Sequence, residues 1–338
     1  IYAGGLFGSL ETGSGIDSIS DVVYEGTNSS WSIVSSKKDS IISAGLLSGI
    51  AKDSYIKEVD LVVTNQIVDL KNESITGSDS NSKLYLGNVF GTYVIGEKNI
   101  VIDDIMIMGN EKESLRAVAT NGDSVVGGLV GYVDYDEVLD KNGTLNLDKV
   151  YFRVLGGDNE YLASSVETSD VVNLYAGGLF GYIDDNANVL ATTAFKERLQ
   201  EVEIDVDNSI TVANYLFEGN YLVSSVQNGQ TIEKTVDDVT YMYGKSIAGG
   251  LVGKGYIDLS GTVDNRSNLA IASPSSNLVV EAIQSKLTDT TENINDKEHA
   301  VSALIYGSVG LRNLTVSEVS NINVYTNIIR ICYWVVSV

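Results

Sequence analysis

The sequence predicts an all-β chain, a parallel β-helix or β-solenoid, running as a single elongated unit over 1–338. The first observation behind this is a recurring glycine phrase. It reads Ala3-Gly4-Gly5-Leu6-Phe7-Gly8 and returns unchanged as Ala176-Gly177-Gly178-Leu179-Phe180-Gly181. The second is a set of segments with period-2 alternation and β-branched residues between the phrase copies. The third is proline usage: Pro274 stands alone in 338 residues, which suits a fold that needs nearly every backbone N–H for pairing.

Variants of the phrase are Ser43-Ala44-Gly45-Leu46-Leu47-Ser48, Leu86-Gly87-Asn88-Val89-Phe90-Gly91, Val126-Gly127-Gly128-Leu129-Val130-Gly131, Ala248-Gly249-Gly250-Leu251-Val252-Gly253 and the eroded Ser302-Ala303-Leu304-Ile305-Tyr306-Gly307. Marked at their last position they fall at 8, 48, 91, 131, 181, 253 and 307, so the early period is near 40. A fixed period of this size is the mark of a repeat architecture. The alternating segments are VDLVVTNQIVDL at 59–70, IVIDDIMIMG at 100–109, LNLDKVYFRVL at 145–155, VEIDVDNSITV at 202–212 and LTVSEVSNINV at 314–324. Assigning the phrase and the alternating segment to separate rungs gives about two rungs per ~40-residue repeat, 14 to 16 rungs in all, and a stack about 70 Å long.

In such a stack each side chain faces its counterparts in the coils above and below. The repeat positions expected to build the ladder are Gly5, Leu6 and Gly8; Gly45 and Leu46; Val89 and Gly91; Gly128, Leu129 and Gly131; Gly178, Leu179 and Gly181; Gly250, Leu251 and Gly253; and Ile305 and Gly307. The aliphatic residue of each copy is expected in one buried column, separated from the next by at least one intervening rung. The following residue is large and apolar in most copies. Either a glycine bulge breaks the alternation there or the outer face is partly covered.

The longer later steps predict loop insertions after residue 184 and around 280–300, within 191–245 and 278–300. Ala191 to Glu203 carries mild helical spacing. Turns are built from Asn, Asp, Gly and Ser, as at Asn121-Gly122-Asp123 and Asn142-Gly143.

The glycine phrases, Gly127-Gly128-Leu129-Val130-Gly131-Tyr132 foremost, resemble the GLUG repeat, named for its Gly-Leu-any-Gly core. The copies at 43–48 and 302–307 depart from that pattern. The family occurs in large bacterial surface proteins, some of them accompanying immunoglobulin A-cleaving metallopeptidases. The resemblance implies a β-helical, adhesin-like segment of a larger exported protein, extracellular or on the bacterial cell surface, and brings no catalytic residues. Its expected partners are a host or neighbouring-cell surface protein or glycan, with self-association through the solenoid ends as a further route.

Composition agrees with a folded, non-nucleic-acid-binding chain. Hydrophobic residues make up 43% against 20% charged, enough for a continuous core. A net charge of -23 opposes binding to phosphate backbones or anionic membrane surfaces. Cys332 is the single cysteine, so no intrachain disulfide forms.

Catalytic patterns are missing. His299 is the one histidine, no His-Glu-x-x-His signature is present, and no Gly-x-Ser-x-Gly elbow supports a nucleophile. The reading is therefore not an enzyme, with no catalytic, cofactor or metal residues assigned. The alternatives are a carbohydrate-active β-helix enzyme of polysaccharide lyase or glycosidase type, and a self-assembling extracellular filament subunit. Calcium is the one cofactor left open: Asp134-Tyr135-Asp136-Glu137 with Asp140, and Asp184-Asp185-Asn186, follow two phrases at the same place and could supply some of its six to eight oxygens. Nineteen tyrosines against six phenylalanines leave an outward aromatic surface for sugars or a protein partner, or simply half-exposed strand residues.

Overall fold

The computed structural model describes residues 1–11, 18–73, 82–120, 122–137, 143–165, 172–191, 215–227, 233–236, 239–242, 245–255, 257, 270–272, 277–284, 300–303, 306–308 and 322–327. They are all-β, in three long sheets whose recorded strand pairs are all parallel, as a β-helix requires. The first sheet takes the start of every phrase: Tyr2–Gly4, Ile41–Gly45, Lys83–Gly87, Asp123–Gly127, Asn173–Gly177, Lys245–Gly249 and Ala300–Ala303. The second takes the end of every phrase: Phe7–Glu11, Ser48–Lys52, Phe90–Ile95, Val130–Tyr135, Phe180–Ile183, Val252–Lys254 and Tyr306–Ser308. The third holds the alternating segments, among them Ser18–Thr27, Tyr55–Thr64, Asn99–Gly109 and Thr144–Ser165.

One repeat therefore makes one coil, and two rungs per repeat is corrected. Gly87 pairs with Gly127, and Gly127 with Gly177, so successive phrases are direct neighbours with nothing between them. The alternating segment is the third side of the same coil. Seven coils at the usual spacing rise only about 30 Å, not 70 Å.

The register also moves the second phrase by one residue. Gly4 pairs with Gly45, and Phe7 and Phe90 both pair with Ser48. The second copy is thus Ala44-Gly45-Leu46-Leu47-Ser48-Gly49. Leu47 takes the aliphatic column, while Leu46 fills the place held by Gly5, Asn88 and Gly128. The copy carries a single glycine before its two leucines, so spacing alone puts Ser48 in the closing place, whereas the pairing puts Gly49 there.

Leu47, Val89, Leu129, Leu179 and Leu251 are buried in one continuous core, with Leu46 beside them. Leu6 is in line with them but 49% exposed, in a first coil that has a neighbour on one side only among the described residues. Ile305 lies outside the described residues, as do Pro274, His299, Cys332 and Asp140.

The corner geometry answers why two consecutive residues face inward. Leu129 N and Val130 N both donate to Leu179 O, at 2.8 and 3.0 Å. Leu47 and Ser48 do the same to Val89 O, and Leu179 and Phe180 to Leu251 O. In a flat strand successive amides point to opposite sides. Here two point the same way, so the chain turns, alternation restarts, and Leu129 and Val130 are both fully buried.

The closing glycine then lets the second sheet rest on the backbone of the first. A Cβ on Gly131 would sit 2.5 Å from Leu86 N in the adjacent coil, a distance real side chains do not tolerate.

The other corners are set by short polar residues. Asn28 and Asn65 break the third sheet at φ 49° and 53°, left-handed values asparagine accepts, and Asn65 Nδ2 donates to Asn28 Oδ1 at 2.9 Å. Where the third sheet returns to the first, Asn72 Nδ2 donates to Ser40 Oγ and Ser82 Oγ, and buried Ser225 and Ser246 hydroxyls meet at 2.9 Å.

Within the span read as an insertion, Glu233–Val236 and Val239–Met242 form an antiparallel hairpin off the three sheets. Tyr215–Gln227, inside 191–245, and Asn277–Gln284, which overlaps the start of 278–300, are third-sheet strands that pair with each other. The helical spacing of Ala191 to Glu203 falls almost wholly outside the described residues.

Candidate functional site

The clearest grouping of chemically capable side chains lies in the crook between the first two sheets. After the closing glycine the next residue points away from the main core, towards the outer side of the first sheet. That places Thr92, Tyr132, Tyr182 and Lys254 in one row on successive coils. On the first sheet Ser43, Tyr85, Val125, Tyr175 and Ile247 form the facing row. Tyr85, Val125, Tyr175 and Ile247 make a second, small core with Tyr132 and Tyr182 packed on it.

The rings stack. Tyr85 and Tyr132 have centroids 4.8 Å apart at 27°, Tyr132 and Tyr182 5.1 Å at 27°, and Tyr175 leans on Tyr182 at 5.4 Å. Lys254 Nζ covers Tyr182 at 4.6 Å from the centroid and donates to its hydroxyl at 3.5 Å. At the near end of the ladder Ser43 Oγ of the second coil and Thr92 Oγ1 of the third lie 2.8 Å apart.

Because Tyr132 is stacked on Tyr85 at one side and Tyr182 at the other, its two faces are used within the protein. A sugar ring stacks on an aromatic face, so Tyr132 offers only its edge and hydroxyl to a ligand. Tyr85, Tyr132, Tyr175 and Tyr182 stand outside the main core but pack on one another there.

Acids rim the crook. Burial pushes the Asp123 carboxyl up, opposed by hydrogen bonds from Asn173 N and Nδ2, at 2.7 and 3.2 Å. Burial also raises Asp134, which accepts from Tyr135 N and Tyr132 OH. Burial, followed by the nearby acids, raises the phenols: Tyr182 to about 12, and Tyr85, Tyr132 and Tyr175 upward from their ordinary value.

The acidic turns are engaged in local structure. Asp136 pairs with Lys52 at 2.8 Å, and Asp184 accepts from Asn186 N at 3.0 Å. Among the described residues no group of three or more Asp, Glu, His or Cys is placed to hold a metal ion.

A second grouping, which sequence reasoning missed, lies inside the main core. Glu113 is fully buried and accepts from Tyr161 OH at 3.0 Å, while its backbone N donates to Asn159 Oδ1 at 2.9 Å. Burial lifts the Glu113 carboxyl to about 7, with the Tyr161 hydroxyl and the nearby Asn88 amide pulling the other way. The available signal was Asn88 itself, a polar residue where other copies of the phrase carry glycine or leucine.

No protein family, curated protein or solved structure matches the chain.

Proposed function

We propose that the chain is a structural and binding segment of a large exported bacterial surface protein, an adhesin-like stalk or display module with no catalysis of its own. The observation that carries this reading is the direct stacking of seven phrases, with the carbonyls of Leu47, Val89, Leu129, Leu179 and Leu251 each taking two amides from the preceding coil. Such repetition makes a stiff body that grows by adding coils, which suits holding something away from a surface. The polar side chains described above act in the same sense. At the corners and the crook, Asn65 bonds to Asn28 and Asn173 to Asp123 of the adjacent coil.

The resemblance of the phrases to the GLUG repeat supports an extracellular or cell-surface setting. Binding to a host or neighbouring-cell protein or glycan then falls to loops and lateral faces. The test is to display the chain on non-adherent bacterial cells and measure attachment to host-cell layers and glycan arrays. Attachment above an unrelated β-solenoid of similar charge supports the proposal. Release of oligosaccharides from acidic polysaccharides by the purified chain would replace it with the carbohydrate-active alternative.

A further inference from the structure

The core between the second, third and fourth coils contains polar groups that the protein does not satisfy by itself. Gln66, Asn88 and Glu113 are all completely buried. Gln66 Nε2, Asn88 Oδ1 and Glu113 Oε1 have no hydrogen-bond partner among the described residues, while the Asn88 amide is turned to the Glu113 carboxyl and the Tyr161 hydroxyl. Buried polar atoms are rarely left so, since each orphan forfeits its solvation.

The three residues come from two sides of the core to one place. Gln66 and Glu113 are register partners on adjacent third-sheet strands, Gln66–Asn72 and Glu113–Ala119. Asn88 comes from the phrase of the third coil, its side chain within hydrogen-bond reach of both Glu113 and Tyr161. Gln66 turns its Oε1 towards the first coil, where it accepts from Ser29 Oγ and, at 3.5 Å, Tyr24 OH. Its Nε2 is left as a donor. Glu113 has its other oxygen on Tyr161, which leaves Oε1 as an acceptor.

We propose that Gln66, Asn88 and Glu113 form an internal binding site for one water molecule. The water accepts from Gln66 Nε2 and donates to Glu113 Oε1 and Asn88 Oδ1, three bonds of the kind buried waters usually make. A monovalent cation fits worse, because it wants oxygens alone and would meet the Gln66 amide hydrogens. The water ties the second coil to the third without an apolar contact and keeps a carboxyl hydrated inside the core.

The test is oxygen-17 magnetic relaxation dispersion, which counts long-lived internal waters, on the wild-type chain and on Asn88→Leu. Leucine is the residue the second coil already carries at this place, as Leu46. The expected result is a dispersion smaller by about one water in Asn88→Leu; equal amplitudes would overturn the proposal. A high-resolution crystal structure of the wild type provides a check independent of the variant's folding. A peak within hydrogen-bond distance of all three side chains supports the site, and a direct Gln66–Glu113 bond with no peak removes it. Stabilisation of the wild type by sodium or potassium over choline at equal ionic strength, lost in Asn88→Leu, would also overturn it in favour of a cation.

Discussion

Gly128 lies against the ring of Tyr161: a Cβ at Gly128 would come 2.7 Å from Tyr161 Cε2. The same relation joins Gly5 and Trp31, where the Cβ would meet Cη2 at 3.0 Å. In both coils the second glycine of the phrase makes room for the next coil's carbonyl, Gly178 O or Leu46 O, and for a large ring on the third sheet. In the second coil the phrase residue is Leu46, and Val68 takes the Trp31 place in register. The third coil has Asn88, with Leu115 in that row. Phrase and third sheet thus trade volume coil by coil.

Gly128→Ala is expected to destabilise the chain by about 1–3 kcal/mol through overpacking against the Tyr161 ring. Adding Tyr161→Leu should recover only the part of that loss due to the ring, since the new methyl also meets the Gly178 backbone carbonyl in the next coil, which lies nearer still. Urea denaturation of the single and double variants measures the coupling. Strict additivity would mean that the two side chains do not share space.

Leu129→Ala removes a fully buried column residue and is expected to cost about 2–5 kcal/mol. Leu6→Ala, at a 49% exposed position, should cost clearly less. In a stack whose coils contact mainly their neighbours, the loss at Leu129 should first loosen the adjacent coils, read as faster hydrogen exchange in 83–95 and 173–183.

Glu113 sets a pH dependence with a definite sign. Its folded pKa is raised, to about 7 from an ordinary 4.5. The folded chain therefore holds the proton more tightly than the unfolded one. This contribution is fully present below about pH 4.5 and is lost as pH rises through 7. Glu113→Gln cannot ionise, so the wild type should lose about 3 kcal/mol relative to this variant between pH 4.5 and 8. Melting curves of both across that range are the check, and a constant difference would place the ionised carboxyl in a far more polar setting.

The stacked phenols predict alkaline behaviour. With Tyr182 raised to about 12 and Tyr85, Tyr132 and Tyr175 also held up by burial, these four rings should remain protonated at pH 11 while exposed tyrosines ionise. Spectrophotometric titration of the wild type against Tyr132→Phe and Tyr182→Phe reads this directly. Loss of absorbance change near pH 10 in either variant would put that ring in solvent.

Much of the fold was legible because the phrase reports its own geometry. Glycine, glycine, aliphatic, glycine at a fixed period marks a corner repeated along a stack, and Leu47, Val89, Leu129, Leu179 and Leu251 bear that out. The number of rungs was not legible, because alternation reveals a strand without saying whether it starts a new coil or completes the current one. Pairing decides that, and Gly127 with Gly177 is a contact across 50 residues. The shift of the second phrase was hidden in the same way, since Leu46 and Leu47 are equally apolar and register alone separates them. The Tyr85–Tyr132 stack and the Gln66–Asn88–Glu113 cluster each join residues from different coils, so their members lie far apart in sequence and no local spacing could have joined them.

The central claim is one coil per repeat, and a distance measurement along the stack tests it most directly. Glu11, Lys52, Val94 and Asp134 are successive register partners on the second sheet, with Asp184 next in line after the Val133–Ile183 pair. Spin labels on Glu11→Cys and Asp184→Cys, in a Cys332→Ser background, span four coil spacings. Double electron–electron resonance should give a backbone separation of about 19 Å after allowance for the label arms. A separation about twice as long would restore an intervening rung between phrases and contradict the account.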